Sequence, residues 1–257
     1  MKVTGKFTFL PAALLISLLS VLWAVPDVSA EEILAAWLQT SLTALADDSS
    51  QVLLVLGEDP SGSTAILYAL EKRGGNWRTA FPPLPALIGR NGFAPPGEKK
   101  EGDLRTPSGV FALKRAFGYA AEIDTRLSYR QAGEDDIWVD DCNSPDYNRW
   151  SRKGETSATS FEQMKLKDDR YKYGIVVEYN TDPVVKGAGS AIFIHVRCAE
   201  QLPTRGCVAL AESDIPRVLS WLEPKAKPLA LLGTRDSIVL LAKGERVSSD
   251  CLASERR

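Results

Sequence analysis

The chain has 257 residues with 31 basic and 33 acidic side chains, so its formal net charge is −2. Without a clustered excess of Lys and Arg it lacks the means to displace counterions, which excludes nucleic acid as a partner. Hydrophobic residues make up 44% of it, enough to bury the core of one domain at the upper end of single-domain size.

In chain order, Lys2 and Lys6 lead into an apolar stretch from Phe7 to Val25, interrupted by Pro11, and Val28-Ser29-Ala30 then precedes Glu31. This is the plan of a secretory signal peptide spanning residues 1–30, and it predicts a protein exported to the periplasm or cell envelope. An uncleaved anchor is the competing reading, because the apolar run approaches spanning length. Nothing downstream is apolar for long enough to cross a bilayer, so no span is expected after cleavage.

Residues 31–50 carry Ile33, Leu34, Trp37, Leu38, Leu42 and Leu45 at helical spacing, which predicts an amphipathic helix packed on the domain that follows. Its polar face lacks the basic residues of a membrane-surface helix. Val52–Leu56 and Thr64–Glu71 predict antiparallel strands, the second ending at Gly74-Gly75, and Trp77 opens another. Phe81-Pro82-Pro83-Leu84-Pro85 is expected to break regular structure.

Gly and Pro between Gly89 and Gly109 predict turns feeding a strand at Val110–Leu113. From Gly118 to Arg170 the chain reads as a polar insertion without a core of its own, a lid or part of a binding surface, with a capping box at Ser160–Gln163 that predicts a short helix. Tyr173–Tyr179 and Ala191–Val196 predict strands, the second almost wholly apolar and therefore central. Ser213 is the expected N-cap of a helix that stops before Pro224. Pro228–Leu232 and Ser237–Leu241 predict two last strands around the turn residues Gly233–Asp236, and residues 244–257 form a tail. The fold class is mainly β with a few helices, with residues 51–243 as the main domain.

The chemistry concentrates between Ala191 and Leu210. This stretch holds the only histidine, His195, followed by Cys207 behind a glycine. A thiol nucleophile needs a base beside it, and one imidazole is available. Gly206 permits a sharp turn at which the Gly206 and Cys207 amides can hold an oxyanion, and Arg205 brings a positive charge that favours the thiolate or holds a carboxylate. The plainer reading, a core histidine and a packing cysteine, weighs about equally on these residues alone. The other cysteines are Cys142, Cys198 and Cys251, among which at most one disulfide forms if Cys207 stays free. A disulfide from Cys198 to Cys207 belongs to the non-catalytic reading. One histidine with dispersed cysteines makes a poor zinc site, and neither a metal nor a cofactor is expected.

Ile194-His195 followed by Thr204-Arg205-Gly206-Cys207-Val208-Ala209-Leu210 resembles the active-site signature of L,D-transpeptidase catalytic domains of the YkuD type. Gly102-Asp103-Leu104-Arg105-Thr106-Pro107-Ser108-Gly109-Val110-Phe111 resembles that family's upstream turn and strand, so the two motifs lie in the family's order within residues 85–233. The resemblance implies a YkuD-like β-sandwich, Cys207 as nucleophile, His195 as base oriented by the carbonyl of Val196, and Gly206 with the Cys207 amide as oxyanion site beside Thr204 and Arg205. It implies peptidoglycan stem peptides as substrate, cross-linked by transfer from a Cys207 thioester. The same site ending in hydrolysis makes a carboxypeptidase or amidase, and a wall-anchored protein is a further acceptor or substrate. A non-catalytic wall-binding protein is the reading from another class. Many members carry His where Arg205 stands and Arg where Ala209 stands, so donor recognition departs from the family's usual pattern.

Overall fold

The computed structural model describes residues 30–198 and 200–244; the expected leader up to Ser29, the tail from Glu245 and Cys251 lie outside these residues. Helix α1 (Ala30–Leu45) leads into β1 (Gln51–Gly57), β2 (Thr64–Arg73), β3 (Asn76–Thr79), β4 (Leu84–Leu87), β5 (Phe93–Ala94), β6 (Thr106–Pro107) and β7 (Gly109–Gly118). The insertion contributes β8 (Ser128–Gln131), β9 (Asp136–Val139), β10 (Trp150–Arg152) and β11 (Phe161–Gln163). The chain closes with β12 (Tyr173–Val177), β13 (Phe193–Val196), β14 (Val208–Leu210), α2 (Ile215–Trp221), β15 (Leu229–Thr234) and α3 (Arg235–Ala242).

The main sheet runs β1-β15-β7-β12-β13-β14-β4-β2, and β2 pairs back to β1, so the ladder closes on itself as a β-sandwich with few exposed edges. Inside lie Leu53, Val55, Leu67, Leu113, Ile175, Ile194, Val208 and Leu232, all buried. The alternate residues of β1, Val52 and Leu54, face outward beside Leu231 of β15, against Leu42 of α1 and Ile238 of α3. Burial on both faces is why β1 reads as a continuous apolar run. Helix α1 packs on the domain as its periodicity predicts, and Gln39 adds a strand-like clasp: its side chain donates to the Trp77 carbonyl at 2.7 Å and accepts from the Trp77 N–H at 3.0 Å.

Four local expectations are corrected. Pro85 lies within β4, opposite Ile66 of β2; β4 meets its other neighbour, β14, only at Leu87, so no ladder bond is required of the nitrogen of Pro85 on that side. Ser160–Gln163 does not start a helix; Phe161–Gln163 is β11, because pairing with β9 outweighs a local cap signal. Helix α2 is capped at Asp214 rather than Ser213, with no side-chain cap bond. The expected last strand at Ser237–Leu241 is helix α3, whose capping box joins Thr234 and Ser237; the residues read as a turn are its N-terminus.

The insertion also has more structure than its polarity suggests. β9 lies between β10 and β11 in a small antiparallel sheet. Its Trp138 and Trp150 join Phe117, Tyr171 and Phe193 in a second core on the outer face of the sandwich. Phe117 is central to it, meeting Trp150, Tyr171 and Phe193 edge to face at 5.9, 5.6 and 5.2 Å. Phe117→Ala is expected to cost about 3–5 kcal/mol in urea denaturation; a cost under about 1 kcal/mol would mean that the insertion is not anchored through this residue.

Candidate active site

Strands β13 and β14 run parallel, with Ile194 opposite Val208 and His195 opposite Ala209. Side chains alternate along strands, so His195 shares a face with Phe193 and Ala209, while Ile194 and Val208 point into the inner core. Cys207, one residue before β14, joins the outer aromatic cluster with Phe193. The parallel register therefore brings the imidazole and the thiol to one face of the sheet. On the far side of His195, the ladder partner is Gly174, where a Cβ would sit 2.2 Å from the Phe117 ring. Glycine leaves the room that Phe117 fills beside the imidazole.

Cys207 sits on a turn that only glycine serves well. Gly206 has φ +147°, and a Cβ there would come within 3.0 Å of the Arg105 carbonyl. Gly89 is confined by the same loop, where a Cβ would fall 2.5 Å from the Leu104 carbonyl, and the Gly89 N–H donates to the Thr106 hydroxyl at 2.9 Å. The upstream Gly-Asp-Thr-Pro segment is thus packed directly beneath the cysteine turn. Thr204 ties that turn together: its hydroxyl donates to the Cys207 carbonyl at 2.6 Å and accepts the Gly206 N–H at 3.1 Å. Of the two amides expected to face an oxyanion, that of Gly206 is therefore already engaged by Thr204.

The thiol of Cys207 donates to the Ala191 carbonyl at 3.2 Å, and its sulfur accepts the Phe193 N–H at 3.4 Å. Burial pushes the thiol above its ordinary range and nearby Glu162 adds to this, against the smaller opposing pull of the Phe193 N–H, Lys99 and Arg170. His195 lies 2.8 Å from the Val196 carbonyl through Nδ1. A neutral imidazole that donates there has Nε2 left as an acceptor. Burial lowers its pKa to about 4, so it is neutral at physiological pH. The pair rests as thiol and imidazole. Cys142, Cys198 and Cys207 are all free, so Cys198 is not bonded to Cys207.

Ala191, whose carbonyl holds the thiol, has φ +52°, an uncommon conformation for a residue with a Cβ. The insertion stabilises it: Asn148 Oδ1 accepts the Ala191 N–H at 3.1 Å and the Trp138 indole N–H at 2.9 Å. Beside it, Glu101 accepts from Tyr147 at 2.6 Å and from Ser190 at 2.7 Å. Asn148, Ala191, Glu101 and Tyr147 escaped the sequence reading as site residues. Their signal is long-range contact, since Asn148 and Ala191 are far apart in the chain.

His195, Thr204, Arg205, Gly206 and Cys207 line one open cavity of about 470 Å³, together with Arg90, Glu162, Arg170 and Tyr171. Arg205 is exposed at its wall, and Val196 is buried behind it with its carbonyl turned to His195. Among the described residues no cluster of His, Cys, Asp and Glu could hold a metal ion, and no helix there is long and apolar enough to cross a membrane.

A family model described as YkuD, L,D-transpeptidase catalytic domain, matches residues 63–235. No curated protein matches the chain. Among solved structures, it is similar at 18% identity and a TM-score of 0.38 to the helical cell shape determining protein Pgp2 from Campylobacter jejuni, with 76% of this chain covered. The chain spans about half, 54%, of the length of that protein.

The depressed pKa of His195 makes the fold acid-sensitive. The unfolded chain binds this proton near pH 6.5 and the folded chain only near 4, so stability present above 6.5 is lost as the pH falls toward 4. His195→Gln is expected to flatten that limb of the stability curve, which amounts to about 3 kcal/mol for a shift of this size; an unchanged limb in urea titrations at pH 4 to 7 would place the acid sensitivity elsewhere.

Proposed function

Because the chain belongs to the YkuD family of L,D-transpeptidase catalytic domains, we propose that it is an exported L,D-transpeptidase acting on peptidoglycan stem peptides through a thioester on Cys207. Members of that family are L,D-transpeptidases and act on peptidoglycan. The observation that carries the reading to this chain is the sharing of one face and one cavity by a protonated thiol and a neutral imidazole.

The resting pair suits a reaction in which the proton moves with the attack. As a substrate carbonyl enters, the thiol turns from the Ala191 oxygen, its proton passes to Nε2 of His195, and sulfur bonds to the carbonyl carbon. The Val196 carbonyl, already accepting from Nδ1, stabilises the imidazolium that forms. The Cys207 amide serves as oxyanion donor; the Gly206 N–H joins only by leaving Thr204. When the tetrahedral intermediate collapses, the C–N bond breaks, D-alanine leaves with the proton from His195, and the acyl group remains as a thioester. An amine of a second stem then attacks the same carbon, the C–S bond breaks, and its proton returns to sulfur through His195. Arg90, Arg170 and Arg205 on the cavity wall supply positive charge for the carboxylates of the stem. A water molecule in place of the amine turns the same steps into hydrolysis.

Purified protein incubated with defined tetrapeptide muropeptides is expected to give cross-linked dimers and free D-alanine, read by mass. Shortened monomers alone would replace transpeptidation by hydrolysis. Cys207→Ala and His195→Gln are each expected to lower turnover ~10³-fold or more, and a Cys207→Ala protein that still turns over would remove the thioester from the mechanism.

A further inference from the structure

The hydrogen bond to Val196 fixes one corner of the imidazole, and a planar ring held at one nitrogen can still tilt about that bond. The second restraint comes from Tyr171. It ends a short 3₁₀ turn, Asp169–Tyr171, capped by Asp168, and is buried. Its ring meets His195 edge to face at 5.2 Å and 76°. On other sides it meets Phe117 at 5.6 Å and Phe193 at 5.7 Å. Its hydroxyl donates to Glu162 Oε1 at 2.6 Å, and Glu162 stands on β11 of the insertion, at the wall of the cavity that holds Cys207.

We propose that Glu162 and Tyr171 form the positioning pair of this site: Glu162 pins the Tyr171 hydroxyl, and the pinned ring sets the plane of His195 so that its free nitrogen stays turned to the cavity. The proposal rests on reading His195 as the base. It gives the insertion a task at the reacting centre, since one wall of the site is then supplied by β11 and not by the sandwich. Burial and the neighbouring Asp140 keep the Glu162 carboxyl above its usual range, against the Tyr171 hydrogen bond, Arg170 and Arg205. Besides Glu162, the charged groups acting on the catalytic pair are Lys99 and Arg170 at Cys207, and Arg170 and Asp168 at His195. A Glu162→Gln change removes the ionisable carboxyl but keeps an acceptor for the phenol, which separates pinning from electrostatics.

The test uses the full chain as wild type, Tyr171→Phe, Glu162→Ala, Glu162→Gln and the Glu162→Ala/Tyr171→Phe double variant, each checked for an unchanged melting temperature. On a tetrapeptide muropeptide, Tyr171→Phe and Glu162→Ala are each expected to lower kcat roughly 10-fold with KM within about twofold, as a small misplacement of a catalytic group does. The double variant loses no more than the worse single one, and Glu162→Gln keeps most of kcat. Losses that multiply in the double variant, or a folded Tyr171→Phe protein with wild-type kcat, would overturn the pairing. Iodoacetamide alkylation of Cys207 from pH 5 to 10 is read in parallel, with His195→Gln as reference, and needs no peptidoglycan. Tyr171→Phe is expected to move the alkylation profile toward that of His195→Gln; a profile identical to wild type overturns the positioning role even if muropeptides prove not to be substrates. Should Glu162→Ala fail to fold, Tyr171→Phe and Glu162→Gln decide on the same readouts.

Discussion

The parallel ladder between Phe193–Val196 and Val208–Leu210 places His195 opposite Ala209 and leaves Cys207 just before the second strand, on the same face. Parallel neighbours cannot be joined by a tight hairpin, so the chain must leave the sheet after Val196 and come back to it at Cys207. That return is anchored by the bridge between Gly89 and Thr204 and by the bonds of Thr204 to Gly206 and Cys207. A slip of one residue in this register would turn His195 into the inner core and separate the imidazole from the thiol. The closed sheet makes such a slip costly, because β12 and β4 hold the pair from either side.

The outer face that carries the site is not left to solvent. The insertion covers it with a second aromatic core, and the same residues that bury Phe117 and Phe193 hold Ala191, Tyr171 and through them the thiol and imidazole. Covering the face removes water from both the thiol and the imidazole. Burial raises the cysteine and lowers the histidine, and a neutral pair follows from the packing rather than from any single charge. Stability and chemistry meet in this layer: the fold bears a buried, uncharged histidine at neutral pH and loses that contribution in acid.

Cations near the site act differently from what proximity in sequence suggests. Arg205 adjoins the cysteine turn, yet it is exposed on the cavity wall, and the positive charges that oppose the rise of the thiol pKa come from Lys99 and Arg170. Lys99 is itself buried and paired with Asp103 at 2.5 Å, which ties the cation that acts on Cys207 to the upstream Gly-Asp segment packed under the turn. Two motifs distant in the chain are thereby one piece of structure.

From the sequence alone came the β-rich class, the packed N-terminal helix, the central strand with its single histidine and the glycine turn with its cysteine, and all of these rest on local chemistry: periodicity, turn residues and the scarcity of imidazole. The family signature was legible for the same reason, since both motifs are short and continuous. Where local signals conflicted with pairing, the structure decided, as at Pro85, at Ser160–Gln163 and in helix α3, whose capping residues read as a turn. Only the tertiary fold could show that the polar insertion carries a core. The aromatic residues of that core, Phe117, Trp138, Trp150, Tyr171 and Phe193, come from several separate elements and acquire a common face only when β9, β10 and β11 fold over the sandwich. Asn148, Glu162 and Tyr171 reach the site by that route, through contacts that no periodicity or spacing encodes.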